Sequence, residues 1–309
     1  MKAPWMRTRP ILRRNKLREG IALPAFEKRI YMIIQAKTFD EERALYNLQD
    51  AIVRDCCFAG PADGESALKE SRNVTVENCA FSLRYPLWHT VGFNLKNITM
   101  DDKTRAAIWY AQKGEIAGCA LGGIKCLREC EDIALENCHI QSEEFGWKCQ
   151  NIRMEHCDAQ AQYIFFDSRD LSLSHFTLNG KYSFQYTENV TVTDSELYTK
   201  DAFWHAKNVT VKNTVLKGEY LGWYSDGLTL INCHIIGTQP LCYCKNLKLI
   251  DCTMEATDLS FEYSQVEATV TGHIDSVKNP ASGFITADSI GQVIWEDSVI
   301  ESTCKVQTR

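Results

Sequence analysis

Four consecutive stretches decide the fold: NIRMEHCDAQAQYIFFDSR (151–169), DLSLSHFTLNGKYSFQYTE (170–188), NVTVTDSELYTKDAFWHAK (189–207) and NVTVKNTVLKGEYLGWYSD (208–226). Each opens on Asn or Asp, continues with apolar residues at its second and fourth positions, and is nineteen residues long. The same opening recurs at Asp132, Gly227 and Asn246, in register with the four, and again at Asn73. Looser copies begin at Asp50, Asn97 and Lys113, and degenerate ones lie near Gln265 and Gln292, which makes about a dozen units.

Alternation with period two is the mark of a strand. A nineteen-residue unit built of short strands has no room for a crossover helix, so successive units must stack as coils with their strands paired in parallel. No hexapeptide subrepeat of the left-handed form is present. The predicted architecture is therefore all-β, a single-stranded right-handed parallel β-helix with three short strands per coil. At about 4.8 Å per coil, a dozen coils make a rod on the order of 55 Å long. Solenoid ends need covering. Thr38–Gln49 (TFDEERALYNLQ), with Thr38 and Glu41 in capping-box spacing, is expected to form a short N-terminal capping helix. Asn279-Pro280 and the late strands GFITADS and QVIWEDS would close the other end.

Composition agrees with a folded domain. Of the 309 residues 45% are apolar and 24% charged, and no segment approaches the roughly 20 uninterrupted apolar residues of a membrane helix. The net charge of −6 hides a division: residues 1–29 hold nine Lys/Arg against two Asp/Glu, and the remainder holds 25 basic and 38 acidic residues. Residues 1–31 are read as a basic extension, disordered or upstream of a native start at Met32, and 32–309 as the β-helix domain. An acidic body argues against nucleic acid as the partner, because phosphate binding depends on clustered positive charge. No membrane association is implied, and no apolar export signal stands near residue 1, so a cytoplasmic location with free thiols is expected.

The fourteen cysteines then call for another explanation than disulfides. The seventh position of the unit holds Cys56, Cys79, Cys119, Cys138, Cys157, Cys233 and Cys252, a frequency that suits an inward stack of small apolar side chains. The rival is a metal site using Cys126, Cys130 and Cys149, or Cys242 and Cys244. Their C-x-x-x-C and C-x-C spacings are not those of zinc ribbons, and no metal or other cofactor is expected. The Asn and Asp at the first and sixth positions fall at turns, where stacked amides form ladders.

The third strand of each coil is where function is sought. One column there runs Trp88, Trp109, Arg128, Trp147, Phe166, Gln185, Trp204, Trp223, Cys242 and Phe261, and holds five of the seven tryptophans. The next runs His89, Tyr110, Glu129, Lys148, Asp167, Tyr186, His205, Tyr224, Tyr243 and Glu262. Alternation and the small column beyond (Thr90, Ala111, Cys130, Cys149) place the tryptophans inside and the His/Tyr column outside. The candidate binding residues are His89, Tyr110, Asp167, Tyr186, His205, Tyr224, Tyr243 and Glu262, since a contiguous exposed aromatic patch marks a binding site and sugar rings would fit it. A catalytic pair, if there is one, would be Asp167 and His205, roughly 10 Å apart across two coils. No G-x-S-x-G, P-loop or H-E-x-x-H is present.

The repeat and the segments SLRYPLWH, FGWKC, KYSFQY, DAFWHAKNV, GEYLGWYS and GTQPLCYCKN resemble an uncharacterised bacterial family of right-handed β-helix proteins, a domain of unknown function grouped with the pectate-lyase-like superfamily. The resemblance runs from about Lys37 to the C-terminus. It implies the fold, and by fold analogy alone a polysaccharide lyase or glycoside hydrolase; it carries no catalytic residues. Three functions follow: an oligo- or polysaccharide-binding or -acting protein, a noncatalytic interaction or homo-oligomeric scaffold, and a cysteine-based metal scaffold.

Overall fold

The computed structural model describes residues 31–60 and 64–309. The basic extension of residues 1–31 lies almost wholly outside the described residues. From Tyr31 onward the chain is a right-handed parallel β-solenoid of about 14 turns, with ~19 residues per turn. The first wall begins at Met32–Gln35 and continues through six-residue strands such as Glu131–Glu136, Gln150–Glu155 and Arg169–Ser174. Its apolar positions stack in register, Ile133 on Ile152, Ile152 on Leu171, Leu171 on Val190, because the period of the sequence equals the length of one turn. The second wall begins at Thr38–Phe39 and points Phe39, Phe58 and Phe81 inward, their ring centroids 5.0 and 4.6 Å apart. One continuous core of buried side chains runs the length of the coil.

The corners follow from residue type. Asn and Asp tolerate a left-handed backbone, and their amides bond to the coil above. Asn78 to Asp55 (3.2 Å), Asn97 to Asn78 (3.1 Å), Asn213 to Asp194 (2.9 Å) and Asn232 to Asn213 (2.9 Å) form such ladders. Most of the cysteines point inward. Cys138, for example, donates its S–H toward the carbonyls of Ile116 (3.4 Å) and Glu136 (3.3 Å). All fourteen are free, and twelve are buried.

The third wall departs from the period-two expectation. In most coils it is no strand: every second residue is left-handed, as at Leu87 (φ 62°) and His89 (φ 55°), or Phe203 (φ 62°) and His205 (φ 51°). Side chains then leave in pairs. Pro86 and Leu87 are buried, Trp88 and His89 face out, and Thr90 is buried again. The N–H groups alternate too, Leu87 bonding back to the Ala67 carbonyl (2.9 Å) and His89 forward to that of Trp109 (2.9 Å). A left-handed residue costs roughly 1–2 kcal/mol, which these bonds and the buried Leu and Phe side chains offset.

Two expectations are corrected here. The tryptophan column faces outward, half-buried, because the alternating backbone puts it on the same side as its His/Tyr neighbours. Residues 41–47 form no capping helix: Arg43, Leu45 and Asn47 are left-handed (φ 57°, 55° and 53°), and Asn47 bonds forward to the Lys69 carbonyl (2.9 Å). They are the first copy of the third wall. The backbone chose its neighbour's ladder over local helical bonds.

Candidate functional site

Two outward columns of the third wall form one surface. In the inner one, Trp88 and Trp109 stack with centroids 5.1 Å apart and planes 4° apart. The Arg128 guanidinium then lies 4.8 Å from the Trp109 ring and 4.7 Å from the Trp147 ring, and it also binds Glu144 at 2.8 Å. Phe166 follows Trp147 at 5.1 Å. Indole N–H groups secure the column by donating to backbone carbonyls of the next coil: Trp88 to Ala106 (2.6 Å), Trp109 to Lys125 (2.7 Å), Trp147 to Tyr163 (3.2 Å) and Trp223 to Gln239 (2.7 Å). Among the described residues the buried indole nitrogen of Trp204 has no such partner.

The outer column holds the sequence candidates. His89 and Tyr110 stack at 4.8 Å, and then Glu129, Lys148 and Asp167 interrupt the rings. Beyond them Tyr186, His205, Tyr224 and Tyr243 stack at 5.1, 5.0 and 4.8 Å with planes within 10° of parallel. Tyr186 and Tyr224 are 49% and 44% exposed. Between Asp167 and His205 stands Tyr186, its ring against His205. The rings cover one another's faces, so what they offer to solvent is edges, phenolic hydroxyls and imidazole nitrogens at the spacing of the coils.

Glu262 is displaced from its expected column. Leu241 and Phe261 bond back to the preceding coil in the same way, and Tyr243 donates forward to the Glu262 carbonyl (2.6 Å), so this coil has one extra residue. Glu262 therefore follows Cys242 in the tryptophan column, and Tyr263 takes the place assigned to it, 5.9 Å from Tyr243. The Glu262 carboxylate accepts from the Tyr243 hydroxyl (3.3 Å) and pairs with Lys278 (2.9 Å). Burial, reinforced by that carboxylate, pushes the Tyr243 phenol up to about 12.

Asp201, 6% exposed, also belongs to this wall and was not singled out by the sequence pattern. Burial pushes its carboxyl up against the pull of Lys200, with Glu219 adding to the rise and Lys181 opposing it. Its signal was a carboxylate set among tyrosines, in a column that runs Tyr163, Tyr182, Asp201 and Tyr220. Among the described residues no group of three His, Cys, Asp or Glu side chains is placed to hold a metal ion.

A family model described as "Protein of unknown function (DUF3737)" matches residues 32–307. None of the curated proteins compared matches the sequence. Among solved structures, the chain is similar to the tailspike protein gp49 of Acinetobacter baumannii bacteriophage Fri1, a capsular polysaccharide depolymerase, at 10% identity and a TM-score of 0.43, covering 88% of this chain and 64% of that one. It is also similar to DFA-IIIase from Arthrobacter chlorophenolicus A6, at 8% identity and a TM-score of 0.40 over 81% of this chain and 77% of that one. The A-module of the Azotobacter vinelandii mannuronan C-5 epimerase AlgE6 gives 10% identity and a TM-score of 0.36 over 89% and 88%.

Proposed function

We propose, for a chain that belongs to the DUF3737 family of proteins of unknown function, that the third wall binds a glycan along the axis of the coil. The observation that carries this reading is the run Tyr186, His205, Tyr224, Tyr243, in which each coil adds one polar-tipped ring about 5 Å from the last. A repeating row of groups that can both donate and accept suits a repeating, hydroxyl-rich polymer. The rigid rings lose little entropy on binding. In this reading the ligand meets ring edges and hydroxyls rather than ring faces, since the faces are already occupied by the neighbouring coils.

The test is a glycan array on the full chain, followed by titration of any hit. Tyr186→Phe, Tyr224→Phe and Tyr243→Phe keep the stack and remove only hydroxyls. Each should weaken binding by about 0.5–1.5 kcal/mol, and the triple variant should lose it while remaining folded, its melting lowered only by the loss of the Tyr243–Glu262 bond. Undiminished binding in the triple variant would exclude this wall.

A second reading, self-association, is favoured by one observation at the far end of the coil. Phe284, Trp295, Val299 and Ile300 are exposed there, close to the last strand, Lys305–Thr308. Light scattering on the parent and on a Trp295→Glu, Val299→Glu variant tests it: a dimer reduced to a monomer supports it, and a monomeric parent refutes it.

A further inference from the structure

Where the second wall turns into the third, an open groove of about 710 Å³ runs across four coils. One rim is an outward column of the second wall, in which Gln141 pairs with Gln160, Gln160 with Asn179, and Asn179 with Tyr198. The other rim, from the start of the third wall, is Glu143, Gln162 and Lys181. Ala161 and Gly180 form the floor. A Cβ on Gly180 would come within 2.8 Å of the Ala161 carbonyl oxygen, so no larger residue fits there without shifting backbone.

The groove amides differ from those at the corners. At the corners, stacked amides bond to one another or to Asp, as Asn208 does to Asn189 and Asn151 to Asp132. The side chains of Gln141, Gln160, Gln162 and Asn179 make no hydrogen bond to any other described group, although all four line one depression. Their donors and acceptors are thus left for a ligand. Lys181 is similarly placed. Its ammonium lies 4.9 Å from the Tyr182 ring and has no ion-pair partner among the described residues, whereas Lys200, one coil on, is held by Glu219 at 2.8 Å. Asp201 balances part of the Lys181 charge but lines no part of the groove. Glu143 stands on the same rim two coils away and would repel a second negative group there.

We propose that this groove binds a segment of a linear glycan that carries carboxylates on some of its sugars and not on others. The amides take the hydroxyls, Lys181 takes one carboxylate, and Glu143 selects a neutral sugar at the opposite end. The proposal rests on the glycan-binding reading and adds to it a second surface and a class of ligand.

Calorimetric titration of the full chain with two probes tests it: a β-1,4-linked hexasaccharide of glucose in which one sugar is glucuronic acid, and the matching hexasaccharide of glucose alone. The acidic probe should bind at least about threefold more tightly at low salt, as an exposed ion pair allows, and the difference should shrink as salt is added. Lys181→Gln should abolish that preference. The double variant Gln160→Ala, Asn179→Ala should weaken both probes by about tenfold or more, as two lost hydrogen bonds require, with unchanged melting. Equal binding of the two probes by the parent overturns the ligand class, and full binding by the double variant overturns the site. If glycans bind and depend only on the third-wall tyrosines, the groove is wrong and the broader reading stands; if the full chain binds no glycan on the array, both fall.

Discussion

The ring of Phe93 fills the space that a side chain at Gly114 would need: a Cβ placed on Gly114 would lie 2.2 Å from the ring Cζ. Both residues face the core from the first wall, on neighbouring coils of a column that otherwise holds Val74 and Ile133. Gly114→Val should therefore overpack the column and cost about 1–3 kcal/mol. Phe93→Val should leave a cavity and cost a similar amount, roughly 1–3 kcal/mol. The double variant restores the pattern of the neighbouring coils and should be more stable than either single one. Urea midpoints decide it, and a double variant no better than the worse single would refute the coupling.

Arg128 joins two halves of the inner aromatic column. Its planar group is shared by Trp109 and Trp147 and is tied down by Glu144, with both charged side chains 19% exposed. Arg128→Ala should cost about 2 kcal/mol, from two cation–π contacts and a partly buried ion pair. Arg128→Lys should recover less than half of that, because an ammonium cannot lie flat between two indoles. Equal stability of the Lys variant and the parent in urea would show that the charge alone matters.

The first two walls could be read from the sequence because they obey one rule: side chains alternate, so Val190 and Val192 face in and Thr191 faces out. The third wall breaks that rule through its backbone. Alternating left-handed residues send Ala202 and Phe203 in together and Trp204 and His205 out together, so parity placed the tryptophans on the wrong side. The same motif at Arg43, Leu45 and Asn47 imitates a capping box in sequence, since its Thr and Glu spacing is local while its hydrogen bonds go to another coil. Glu262 was misplaced by a single added residue, which no fixed period can register. The groove escaped because Gln141, Gln160 and Asn179 form no motif. Only their failure to bond to one another distinguishes them from the corner amides, and that is visible in three dimensions alone.

Cysteine reactivity follows from burial. Of the fourteen free cysteines only Cys57 and Cys304 are half-buried. Burial pushes the Cys126 thiol up to about 12, and Cys244 and Cys304 each up to about 11, so little thiolate forms near neutral pH. The native protein should react with an aromatic disulfide reagent at no more than two cysteines, and at all fourteen only in concentrated guanidinium. Three or more fast-reacting thiols in the native state would contradict an inward cysteine stack.

Asp201 should set a pH dependence of stability. Its carboxyl is raised in the folded chain, by burial against the pull of Lys200, with Glu219 adding and Lys181 opposing. The folded state then holds this proton more tightly than the unfolded state does, so the contribution is fully present below the unfolded carboxyl range and is lost as pH rises through the folded value. Ionised Asp201 thus opposes folding at neutral pH. Asp201→Asn, which cannot ionise, should raise the urea midpoint at pH 7, and the gain should fade as the pH falls below the ordinary carboxylate range. A variant less stable than the parent at pH 7 would mean that the attraction of Lys200 and Lys181 outweighs burial.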